Sequence, residues 1–102
     1  MTRLFAGIDT SCYTTSFAVM NEGERILADV RRQLAVPQGG RGLRQSDGVF
    51  AHVKNLPDVI CETGMALKNM ACIAASAAPR PAQGSYMPVF AVSESYGRAL
   101  AY

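Results

Sequence analysis

The segment Leu4–Met20, LFAGIDTSCYTTSFAVM, constrains the fold more than any other part of the chain. A short apolar run, Arg3 to Ile8, has the pattern of a buried strand. It meets Asp9 and a cluster of hydroxyls, and a second run rich in β-branched and aromatic residues, Thr15 to Met20, then leaves. Two such runs so close together require the chain to double back. The turn between them presents Asp9, Thr10, Ser11, Thr14 and Thr15 at the end of a buried sheet. Backbone N–H groups and hydroxyls there suit phosphate oxygens, and a carboxylate suits a hydrated cation. The same residue types also close ordinary turns: Asp9 can cap the Thr10–Thr15 segment, and the hydroxyls of Thr10 and Ser11 can bond local backbone.

Asn21 to Glu24 is a polar connection. Arg25 to Leu34 follows as a third strand, with Ile26, Ala28 and Val30 alternating against Arg25, Leu27 and Asp29, so the spacing predicts an antiparallel meander. The stretch from Val36 to Gly48 holds four glycines and one proline and reads as a loop. Ser46 or Asp47 suits a helix N-cap. Beyond it, Val49, Val53, Leu56, Ile60 and Leu67, with Phe50 and Met65 beside them, recur at three- and four-residue steps, which predicts an amphipathic helix. Pro57 inside it predicts a kink. Cys72–Ala77 reads as a central strand, ending at Ala78-Pro79-Arg80-Pro81. A second helix is expected from Ser85, its N-cap, to about Tyr102, with Pro88 in its first turn. The order β-β-β-α-β-α is α/β, a mixed sheet with flanking helices. It is the opening of a ribonuclease H-like layer, the half-unit of the actin-like ATPase (ASKHA) fold.

A chain of 102 residues makes one domain, and 49% hydrophobic with 18% charged residues is the balance of a soluble globular one. A net charge of +2 permits contact with nucleic acid without arguing for it. No apolar run approaches the roughly 20 residues of a membrane span, and the N-terminus enters a strand pattern without a signal region. The expected location is cytoplasmic. Cys12, Cys61 and Cys72 show no metal-like spacing and read as reduced thiols, Cys61 and Cys72 as packing residues. Nothing near Cys12 in sequence would activate a thiolate.

His52 is the single histidine, so no His-rich metal site can form within these residues. It lies beside the apolar stripe of the first helix, which assigns it a hydrogen bond inside the domain or a surface place. Arg41 and Arg44 in the glycine-rich loop could hold phosphate of a nucleotide or of a nucleic acid. Arg80 could do the same with less entropy loss, since the flanking prolines fix its backbone. Ala91, Ser95 and Ala99 form a small-residue stripe at four-residue steps, suited to close packing on this chain's own sheet or on a partner helix.

Four ordered blocks resemble the Kae1/TsaD family, whose members were once called O-sialoglycoprotein endopeptidases or glycoproteases. They are GIDTSCYTTSFAV; Gly39-Gly40 with the basic loop after it; Ala51-His52-Val53-Lys54-Asn55-Leu56-Pro57; and Pro79-Arg80-Pro81 through Gly84-Ser85 to Gly97-Arg98-Ala99-Leu100-Ala101. The resemblance implies the first of two lobes of a protein that uses ATP or an adenylate and a divalent metal. Its role would lie in threonylcarbamoyladenosine modification of tRNA. It also implies that Asp9, Thr10, Ser11 and Thr14 face a nucleotide-bound cation, and that first-lobe helices form a homodimer or a heterodimer with a TsaB-like partner. Two departures stand out. Tyr13 and Thr14 replace an acidic pair found in most tRNA-modifying members, and neutral residues cannot act there as general base or cation ligand. The family's metal ligands, a His-x-x-x-His and a later Asp, have no counterpart here. This chain is therefore expected to bear no catalytic or metal residue and to bind no cofactor tightly. The alternative is a degenerate, TsaB-like interaction module.

Overall fold

In a computed structural model, which describes residues 3–36, 43–79 and 87–101, the chain forms one four-stranded mixed sheet with two helices on one of its faces. The strands are β1 (Leu4–Asp9), β2 (Thr14–Asn21), β3 (Ile26–Gln33) and β4 (Met70–Ala75); the helices are α1 (Gln45–Glu62) and α2 (Pro88–Ala101), with a single 3-10 turn at Leu67–Asn69. The sheet order is β3-β2-β1-β4, antiparallel through the first three strands and parallel between β1 and β4. The meander and the crossover helix stand as expected, and the arrangement is the ribonuclease H-like half of the actin-like fold.

Period-two burial explains the sheet. Ala6 and Ile8 of β1, and Thr15, Phe17 and Val19 of β2, point under the helices and are buried, while Gly7, Ser16 and Ala18 turn to the other face. With Leu56 and Val59 of α1 and Val92 of α2, these apolar residues form the core. Phe17, Val19, Leu56 and Val59 have no exposed surface.

Several expectations need correction. Within the described sheet β4 lies at the end of the order, not in its centre, because the crossover returns beside β1 and pairs with it alone. Ile26 is 65% exposed. A register shift between Val19 and Met20 pairs Met20 with Ile26 and Val19 with Ala28, which turns Ile26 away from the helices. The stripe of α1 also differs. Its buried residues are Gly48, His52, Leu56 and Val59, whereas Phe50 and Val53 are 65% and 43% exposed. The helix ends at Glu62, short of Met65 and Leu67, and it continues through Pro57. Its N-cap is Arg44, in extended conformation and without a side-chain cap, so Ser46 and Asp47 lie in the first turn. The start of α2 at Pro88 agrees with the ring's tolerance there; Ser85 lies outside the described residues. All three cysteines are exposed. Cys61 is nine residues, a half-turn in phase, beyond buried His52, and Cys72 alternates toward the bare face of the sheet.

Close packing depends on glycine at two places, one between the helices and one between helix and sheet. A Cβ on Gly48 would stand 3.1 Å from Val89 Cγ1, and one on Gly97 would stand 3.0 Å from Ala75 Cβ. A branched side chain at Gly97 must push α2 off β4. Gly97→Val is expected to destabilise the domain by about 1–3 kcal/mol in urea unfolding monitored by circular dichroism.

Candidate functional site

Four chain segments meet at the carboxyl end of β1: the Thr10–Tyr13 turn, the residues after β4, and the first turns of α1 and α2. Asp9 Oδ1 accepts from the Ser11 N–H at 2.9 Å, the geometry of an Asx turn. The Thr10 hydroxyl is fully buried. It donates to the Val89 carbonyl at 2.7 Å and accepts from the Ser93 N–H at 3.1 Å. Those two backbone groups are four residues apart, so the Thr10 hydroxyl bridges one turn of α2. Ser76 extends the clasp: its hydroxyl lies 3.4 Å from the Thr10 N–H and 2.9 Å from Ser93 Oγ, and Ser93 Oγ donates to the Ser76 carbonyl. No buried side-chain polar atom among the described residues lacks a partner.

The sequence-nominated residues separate into three environments. Thr10 closes the structure from within. Ser11 and Arg44 line a small cleft of about 70 Å³ with Tyr13, Gln45 and Met87, between the turn and the starts of both helices. Asp9 and Thr14 open instead onto the bare sheet face, in a broad trough shared with Ser16, Asp29, Arg31 and Gln33. There Arg31 is held by Asp29 at 3.0 Å. Tyr13 is 44% exposed. Arg41 and Arg80 lie outside the described residues, as do Gly39, Gly40, Gly84 and Ser85. No group of three or more metal-ligating side chains occurs among the described residues.

His52 makes hydrogen bonds inside the domain, one of the two places its position allowed. The imidazole bridges the Thr15 hydroxyl and the Cys12 carbonyl, and burial lowers its pKa below the ordinary histidine value. Sequence reading did not single out Ser76 or Ser93. The available signal was phase: Ser93 stands four residues after Val89 and four before Gly97, a polar residue inside a buried stripe.

No family model matches the chain, and no curated protein matches it in sequence. A solved structure, YeaZ from Pseudomonas aeruginosa, is similar in fold, with a TM-score of 0.62 at 18% identity. The likeness covers 97% of this chain and 38% of YeaZ, so the chain spans well under half the length of that neighbour. At this identity the comparison establishes the shared fold. No helix among the described residues is long and apolar enough to cross a membrane.

Thr10 and Ser11 are adjacent hydroxyl residues with opposite expected behaviour. Thr10→Val removes the hydroxyl that joins β1 to the Val89 carbonyl and the Ser93 N–H, and should cost about 1–3 kcal/mol in denaturant unfolding. Ser11→Ala removes a side chain outside that clasp and should stay within about 0.5 kcal/mol.

Proposed function

We propose that this chain is the first lobe of a protein related to the Kae1/TsaD group, serving threonylcarbamoyladenosine modification of tRNA by assembly rather than by its own catalysis. The observation that carries this reading is a set of small and apolar residues on the outer side of the two helices. On α1, Asp58 and Glu62 pair with Arg32 on the β3 side. Val49, Val53 and Ile60 lie on the opposite flank, next to α2. On α2, Gly97 faces β4, and the stripe Ala91, Ser95 and Ala99 turns outward, away from the sheet, beside the Glu94–Arg98 ion pair. The stripe does not pack on the chain's own sheet: Ala91 is half-buried, and Ser95 and Ala99 are exposed. Small residues and an exposed valine let a partner helix approach closely.

The partner is a second copy of this chain or a related ASKHA-fold protein. Replacement of the family's acidic pair by Tyr13 and Thr14 supports the assembly role, since neither side chain supplies a carboxylate. The rival reading makes the full-length protein a metal- and nucleotide-dependent threonylcarbamoyl transferase. In that reading Asp9, Ser11 and Thr14 contact the nucleotide and its cation, while Arg41, Arg44 and Arg80 contact phosphate of nucleotide or tRNA. A His-x-x-x-His and a later Asp in a continuing reading frame would favour it. The older endopeptidase activity has no support in the described side chains.

Light scattering after size exclusion should give an assembly, of this chain alone or mixed with a TsaD-type protein. Val53→Asp should dissociate it while leaving circular dichroism unchanged. Isothermal calorimetry should find at best weak ATP binding to this chain. Robust threonylcarbamoyl transfer by it would overturn the non-catalytic assignment.

A further inference from the structure

The fold places the chain's only histidine where an imidazole has polar partners and no solvent. His52 Nδ1 lies 2.7 Å from the Thr15 hydroxyl, and Nε2 lies 3.0 Å from the Cys12 carbonyl oxygen. A carbonyl oxygen only accepts, so Nε2 carries the hydrogen and Nδ1 accepts from Thr15. The Asn55 amide donates to the same hydroxyl oxygen at 3.4 Å. These bonds tie the turn after β1 to the middle of α1, through one neutral tautomer.

We propose that His52 is a proton-operated latch, which ties α1 to Thr15 of β2 when neutral and loses that bond when the ring takes up a second proton, while Nε2 keeps its bond to the Cys12 carbonyl. The added proton goes to Nδ1 and converts it from acceptor to donor. Thr15 must then rotate its own hydrogen away, while its oxygen already receives the Asn55 amide. A cation is left at a fully buried position, which is costly without a paired charge.

The surroundings favour the neutral ring. Burial is the largest influence on the imidazole and lowers its pKa; the bond to Cys12 and the charge of Asp9 raise it by less. The turn adds the Cys12 thiol and the Tyr13 phenol. On α1, Lys54 and Asp58 are exposed. From β2 come Thr15 and Phe17, from α2 the uncharged stretch Pro88–Ser93, and Arg32 of β3 is occupied by Asp58 and Glu62. Because the folded state disfavours the imidazolium, it binds fewer protons than the unfolded chain. The stability supplied by His52 is therefore complete above the ordinary histidine value and is lost as pH falls below it. The latch concerns the seat of α1 on β2 and stands whether or not the turn takes a ligand.

Proton NMR of the whole chain between pH 8 and 4.5 tests it, since one imidazole gives one titrating signal. A second readout is protection of the Leu34 amide, which donates to the Tyr13 carbonyl at 2.7 Å. The imidazole midpoint should lie below the free-histidine value. Leu34 protection, corrected for intrinsic exchange, should fall with protonation, tenfold for each pH unit between the two midpoints. His52→Gln keeps a donor and an acceptor without titrating, and should hold Leu34 protection constant. Should that variant fail to fold, Thr15→Val serves: without the hydroxyl donor, the midpoint should move up toward the free value. A wild-type midpoint at or above the free-histidine value, equal loss of protection in His52→Gln, or an unmoved midpoint in Thr15→Val would overturn the proposal.

Discussion

A buried hydroxyl needs partners, and the Thr10 hydroxyl finds both of its own in the backbone of α2. That constraint organises the carboxyl end of the sheet. It fixes where α2 begins relative to β1, and with Ser76 and Ser93 it joins β4 to the same point. Apolar packing holds the helices over the sheet, but packing alone would let α2 slide. A hydroxyl bridging one helical turn sets the register. His52 does the corresponding work for α1, by reaching Thr15 and Cys12. The turn after β1 is thus secured to both helices through side chains that carry no charge in the folded state.

This explains which parts of the molecule were legible in the sequence. Strands and helices announced themselves by period, and their order identified the layer. The face of α1 was harder, because its buried positions include Gly48 and His52, which an apolar count passes over, while apolar Phe50 stands in solvent. Gly48 is buried because Val89 comes too close for any larger residue, and His52 because its two nitrogens are satisfied. The Ile26 reversal came from a one-residue irregularity between β2 and β3, invisible to alternation within a single strand. The cysteines misled for a related reason: their apolar neighbours describe the strand or helix, not the side that each thiol faces.

The candidate ligand residues were gathered by proximity along the chain, and the fold disperses them. Asp9 and Thr14 look onto the open sheet face, Ser11 and Arg44 onto the cleft at the helix starts, and Thr10 inward. Adjacent residues of a strand and turn point in different directions, so a cluster in sequence is not a cluster in space. Asp9 and Ser11 meet only through the Asx turn, where Asp9 Oδ1 accepts from the Ser11 N–H.

The two outer strands of the described sheet are unlike each other. β3 carries the Asp29–Arg31 ion pair along its margin, a deterrent to foreign strands, whereas β4, Met70–Ala75, has no charged residue. Backbone recruitment therefore has one permissive border and one guarded border. Two copies meeting along β4 would make a continuous eight-stranded ladder with β3 at both ends. Growth by that route stops at a pair and cannot propagate into a fibre.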